Sequence, residues 1–345
     1  MKRKNILKVL LFIVAVVFMP KKAFAANCDL TQAHVFTGDG ESTCTLQADL
    51  ELDSSISISS GTVNIDLNGH NFTMTGSGEA IRVTGTGSLN ISGEGTISTG
   101  PGTANSPAYS ALIFDSTGNL TISGGTFENG IHAQNASSVT IENGTFNGNY
   151  AAGFSSIGNL VINNGTFNGT HCGATFSNNA SQRINGGTFQ GGTFGILIND
   201  DNVKPLLYGG TYKSTNNDSY AIVINSKEED NGFFNKLVGD NYHYSEKFNV
   251  LRKNVSDYSI GRGSSSGPVE DVVYYFYVSD SKNVSVVAGA PSENQKIAPY
   301  TESEEESTEA NPKTGSILYI YVIAFLLVSG LAVFGTYSYR KQLNK

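Results

Sequence analysis

Short runs of alternating apolar and polar residues dominate the middle of this chain. One series is Leu89/Ile91, Leu120/Ile122, Val139/Ile141, Leu160/Ile162 and Leu206/Tyr208. A second is Ile81/Val83, Leu112/Phe114, Ala152/Phe154, Ala174/Phe176, Ile196/Ile198 and Ile222/Ile224. A period of two over a few residues, bounded by Gly, Asn and Ser, is that of a strand with one buried side. No stretch between 50 and 225 carries a helical apolar period of useful length.

A third series sets the repeat. Gly125-Thr126-Phe127, Gly144-Thr145-Phe146, Gly165-Thr166-Phe167, Gly187-Thr188-Phe189 and Gly210-Thr211-Tyr212 follow one another at 19, 21, 22 and 23 residues. Gly95-Thr96-Ile97 stands 30 residues ahead of them, with the insertion Pro101–Pro107 lengthening that step. Self-similarity at this period marks a solenoid. Three short strands per repeat, without the dense Leu spacing of a leucine-rich repeat, predict an all-β fold: a right-handed, single-stranded parallel β-helix over 50–225. It should have about eight coils stacked ~4.8 Å apart. Phe127, Phe146, Phe167, Phe189 and Tyr212 would then fall above one another as an interior aromatic ladder. The residues ahead of the turn glycines (Gly124, Asn143, Asn164, Gly186 and Gly209) are types that tolerate a left-handed backbone, which is expected of them here.

One coil cannot bury its own apolar side, so both ends need covers. Residues 26–49 are the N-terminal candidate and hold Cys28 and Cys44, which would close a small disulfide loop in an oxidising compartment. Residues 226–290, with the strand Val272–Val278 and alternation in Asn283–Ala288, read as a β-rich cap or subdomain. Residues 291–310 hold five Glu between 302 and 309 and read as a solvated linker.

Two longer apolar segments fix the address. Residues 1–25 have a basic start, an apolar run at Val9–Met19 and a small-residue site at Ala23 and Ala25, the pattern of a cleaved signal peptide. Ile317–Tyr339 is 23 residues without a charge, enough for a membrane-spanning helix. The basic tail 340–345 favours a cytoplasmic end for it. Immediately ahead stand Asn311, Pro312, Lys313, Thr314 and Gly315.

That pentapeptide, the apolar helix and the basic tail together resemble the sorting signal of Gram-positive wall-anchored proteins. The resemblance implies that a sortase cuts between Thr314 and Gly315 and joins the Thr314 carboxyl to peptidoglycan. The usual Leu at the first position is Asn311 here, which resembles the motifs read by other sortase classes. Similarly, Asp66-Leu67-Asn68-Gly69-His70-Asn71 within Thr62–Met74 resembles the opening coil of Gram-positive surface proteins of pectate-lyase-like fold. That likeness speaks for fold more than for function.

Charge narrows the function. The chain has 345 residues and a formal charge of −8, but nine of its 22 basic residues lie in the two terminal segments. Between 26 and 314 the remaining 13 face all 30 acids, a balance of −17 that repels nucleic acid and anionic lipid. The candidate enzyme groups are few. Between 83 and 203 the acids are Glu94, Asp115, Glu128, Glu142, Asp200 and Asp201, and the one base is Arg183. Glu128 and Glu142 stand at different places in the repeat and do not stack. Asp200 and Asp201 are neighbours that face opposite ways on a strand, or form a turn between Asn199 and Asn202. His171 and Cys172 are separated by the same alternation. No His pair has metal-ligand spacing among His34, His70, His132, His171 and His243.

The expected catalytic, cofactor and metal residues are therefore none. A long surface of Thr, Ser, Asn and Gly, with Tyr109, Tyr150 and Tyr220 on it, suits adhesion or surface interaction, including glycan binding. The alternatives are a polysaccharide lyase or glycoside hydrolase of the same fold, or a purely structural wall component. The implied partners are sortase, peptidoglycan, the membrane before sorting, and a host or bacterial glycan or matrix ligand.

Overall fold

A computed structural model of the chain describes residues 26–31, 34–99, 110–199, 204, 206–217, 219–226, 232–255, 273–278, 282–290 and 297. The signal-peptide residues Ala23 and Ala25, the sorting pentapeptide 311–315 and the apolar segment 317–339 lie outside them, as do Tyr109, Asp200 and Asp201. The described residues form a parallel β-solenoid of about eight turns.

Three faces build each turn. The first face is an eight-stranded parallel sheet: Ala26–Asn27, Glu41–Thr45, Thr62–Asp66, Ser88–Ser92, Asn119–Ile122, Ser138–Ile141, Asn159–Ile162 and Ser181–Ile184. The second carries Leu50–Leu52, Phe72–Met74, Thr96–Ser98, Thr126–Glu128, Thr188–Gly191 and Thr211–Ser214. The third carries Val35–Phe36, Ile56–Ile58, Ile81–Gly85, Leu112–Ser116, Ile131–Gln134, Phe194–Asn199 and Tyr220–Ser226. In two coils the second and third faces run on as single strands, Thr145–Ser155 and Thr166–Ser177. The segment 26–49 thus already contributes strands that pair in parallel with the stack.

The interior is written in the alternation. Ile65, Ile91, Ile122, Ile141, Ile162 and Ile184 fall above one another on the first face, all essentially unexposed. On the second face Ile97, Phe127, Phe146, Phe167, Phe189 and Tyr212 are in register. The aromatic rings stack at centroid distances of 5.1, 4.7, 4.4 and 5.4 Å, with interplanar angles of 15° or less. Tyr212 ends the ladder and donates its buried hydroxyl to the Gly209 carbonyl at 2.6 Å.

Two details differ from the expectation. The left-handed backbone falls on the glycine of each Gly-Thr pair, not on the residue before it. Gly144 and Gly165 have φ of 144° and 137°, while Asn143 and Asn164 are not among the positive-φ residues. At such φ an L side chain is strained, and a Cβ on either would crowd the Phe ring two residues on at 3.1 Å and a carbonyl of the adjacent coil at 3.3 Å, so glycine serves there and Asn can precede it on ordinary backbone. The second difference is the register of the last first-face coil. Leu207, not Leu206 or Tyr208, pairs with Ile184, and in turn with Val238. Leu206 and Leu207 are both buried, so two adjacent leucines erased the alternation that would have fixed the register.

The strand Ser181–Ile184 escaped the pattern for a related reason. Gln182 stands above Leu160 in the interior ladder and is buried. Asn179 satisfies it by donating Nδ2 to Gln182 Oε1 at 3.2 Å, and Asn179 Oδ1 accepts the Ile157 amide at 2.9 Å. A bonded amide can occupy a core rung, but it leaves no apolar signal.

Past Tyr220–Ser226 the pairing reverses. Val273–Val278 lies antiparallel to that strand, and Val250–Val255 lies antiparallel to Val273–Val278. Asn283–Ala288 runs antiparallel to both Thr211–Ser214 and Tyr242–Tyr244. The helix Phe233–Leu237 buries Phe233, Phe234 and Leu237. Phe234 meets the rings of Tyr244 and Phe248, giving the end of the stack its own aromatic plug. At the other end Cys28 and Cys44 are disulfide-bonded, their Cα atoms 4.8 Å apart.

Candidate functional site

The bend between the second and third faces is where the solenoid departs from a simple repeat. Backbone crowds it. A Cβ on Gly173 would sit 2.4 Å from the Gly195 carbonyl and 2.9 Å from the Gln190 nitrogen. One on Gly195 would meet the Ala221 carbonyl at 2.4 Å and Lys213 backbone at 2.8 Å. Only small residues fit, and the register brings Ala151, Gly173, Gly195 and Ala221 to this line.

Beside that line the outward side of the third face carries two apolar residues, Leu197 and Val223, in register with Thr175. Leu197 and Val223 alternate with Ile196, Ile198, Ile222 and Ile224, which belong to the main core, so they point the other way. With Cys172 they form a separate buried cluster, and Tyr150, Phe194 and Tyr220 pack against it while staying partly exposed. Cys172 pairs with both Tyr150 and Phe194, and Phe194 pairs with Tyr220, so the line crosses four successive coils.

His171 completes an aromatic row. Its ring lies edge-on to Tyr150 at 5.1 Å and to Phe194 at 5.3 Å. His171 Nδ1 and the Thr193 hydroxyl share a hydrogen bond of 3.0 Å. Burial holds the imidazole below its ordinary pKa, so it is neutral at neutral pH. Polar groups stand alongside: the Thr170 hydroxyl donates to Asn149 Oδ1 at 3.1 Å, and two coils past Thr170 the Asn216 amide donates to the Gly192 carbonyl. Cys172 and His171 do not work as a pair. The thiol donates to the Ala174 carbonyl, and burial pushes its pKa far up, against thiolate chemistry.

The carboxylates of the faces have a different task. Glu128 Oε1 accepts from Asn147 Nδ2, and Asn147 Oδ1 accepts from Asn168 Nδ2, each at 3.0 Å. Glu142, Asn163 and Asn185 repeat this at 2.7 Å per step, and Arg183 Nε closes the chain on Asn185 Oδ1. The Arg183 guanidinium lies over the Tyr208 ring at 3.7 Å. Glu41, Asn64 and Asn90 form a third such run, and Asp115 accepts from Asn135. Each carboxylate anchors amides that donate in one direction, an arrangement that strengthens every bond in the run. Spacing by one coil, 19 to 26 residues, between Glu and Asn positions was the available signal for these ladders, and composition alone concealed it.

The histidines also remain apart. His70 Nδ1 is 3.6 Å from Asp49, His132 reaches Gln134, and His243 Nδ1 reaches the Gly289 carbonyl. Among the described residues no three His, Cys, Asp or Glu side chains gather where they could hold a metal ion. No protein-family model, curated protein or solved structure matches this chain.

Proposed function

We propose that this chain is a surface protein of a Gram-positive cell wall, whose right-handed, pectate-lyase-like solenoid binds glycan or matrix ligands without cutting them. The observation that carries the binding reading is the partly exposed row Tyr150, His171, Phe194 and Tyr220, set in neutral amides and hydroxyls. Aromatic faces offer apolar contact to the C–H faces of sugar rings, and neutral polar neighbours orient hydroxyls without demanding charge. The carboxylates beside the ladders are occupied as amide acceptors, which supports a binding role over acid–base chemistry.

The address rests on sequence. The segments 1–25, 311–315 and 317–345 deliver the chain to the membrane and present Thr314 to a sortase, which transfers it to peptidoglycan. Pro312 keeps the pentapeptide extended for an enzyme groove. Thr314→Ala should move the protein from the wall fraction to membrane and medium; unchanged wall retention would overturn the anchoring. For binding, the protein is exposed to an array of glycans and matrix proteins, with and without Ca²⁺. Retention of at least one class is the expected result, and a blank array contradicts it.

A further inference from the structure

We infer that the aromatic row is a subsite for an extended, neutral β-1,4-linked glycan lying parallel to the solenoid axis, one sugar per coil. The inference deepens the binding reading above and rests on it. Three observations on this face carry it.

The first is spacing. Tyr150, His171 and Phe194 come from successive coils and follow at 5.1 and 5.3 Å, and Tyr220 is in register one coil further on. Coils rise ~4.8 Å each, and the span of a pyranose from its equatorial O1 to its equatorial O4 is of the same size. A β-1,4 chain is therefore a straight ribbon whose repeat matches the positions of three successive rings, tilted at 65° and 75° to one another, with Tyr220 in backbone register as a fourth. An α-1,4 chain curls, and leaves a straight row after one or two sugars.

The second is charge. Asn149, Thr170, Thr193 and Asn216 are neutral, and His171 is held neutral by its surroundings at ordinary pH. Lys282 Nζ donates to the Asn216 carbonyl at 2.7 Å at one end of the row, and the ring positions Tyr150, His171, Phe194 and Tyr220 themselves carry no cation. The third is support. Cys172, Leu197 and Val223 form a buried floor outside the main core, so the rings are held by packing and lose little freedom on binding.

The test is a calorimetric titration of the full chain in a polyoxyethylene detergent. The probes are cello- and chito-oligosaccharides of two to six sugars, with malto-oligosaccharides of the same lengths. Affinity should rise up to about four sugars, matching the four coils of the row, and then level off. The malto series should bind about tenfold more weakly or not at all. Phe194→Leu keeps an apolar contact with the floor but removes the ring, and should lose about tenfold in affinity while the protein stays folded at the titration temperature. Equal binding of the α- and β-linked series overturns the axial register while leaving the binding function standing. Full affinity in Phe194→Leu places the ligand elsewhere and overturns the subsite. Binding of neither series, alongside retention of some other ligand on the array, overturns this inference alone; a blank array as well removes the function it rests on.

Discussion

His171 sits between two rings with one hydrogen-bonded nitrogen, and its burial disfavours the imidazolium. Its folded pKa lies below the unfolded value of 6.5, so the unfolded chain takes up more protons as pH falls through that window. The sign follows: this contribution to stability is whole above pH 6.5 and declines as the solution is acidified toward the folded pKa. Melting curves between pH 7.5 and 5 should therefore show a drop that His171→Gln reduces. An identical drop in the variant would remove His171 as its source. Asp29 and Asp49 act lower. The Thr31 hydroxyl and amide hold the first below 3.8, and the Asn71 amide does the same for the second, so their contributions fade only beneath that value.

At the scale of the element, one ladder position serves two neighbours at once. Phe167 stacks on Phe146 at 4.7 Å and on Phe189 at 4.4 Å, with no exposure. Phe167→Ala should cost about 3–5 kcal/mol in denaturant titrations, and a loss under ~1 kcal/mol would show that the stack relaxes into the gap. The amide ladders answer to charge instead. Asn163 donates to Glu142 at 2.7 Å and accepts from Asn185, so Asn163→Asp sets two carboxylates together. It should destabilise by about 1 kcal/mol at pH 7, and by much less in a Glu142→Gln background where the second carboxylate is gone. Equal cost in the two backgrounds would contradict the ladder. The aromatic ladder was legible because Gly-Thr-Phe recurs and the rings share one parity. The bend was not: Ala151, Gly173, Gly195 and Ala221 look like ordinary small residues until the two faces close on them. Leu197 and Val223 gave no warning either, because their strands are apolar on both sides.

Taken whole, the solenoid is a line of coils in which each touches only its neighbours, so its ends decide whether it frays. The antiparallel strands Val273–Val278 and Asn283–Ala288 close one end, and the Cys28–Cys44 bond ties the other. A separation of 16 residues makes that bond worth ~3 kcal/mol. Cys44→Ser should lower stability by that order and raise amide exchange in the first coils while the coils from Thr145–Ser155 onward keep their protection. Uniform exchange along the stack would instead mean that the solenoid opens as one unit.

The central claim is that this surface holds a glycan without cutting it. The most direct measurement is the mass of a retained oligosaccharide after prolonged incubation with the purified protein, with and without Ca²⁺. Retention with the chain length unchanged in both conditions is the expected result. Shorter or unsaturated products would contradict it and make the solenoid an enzyme.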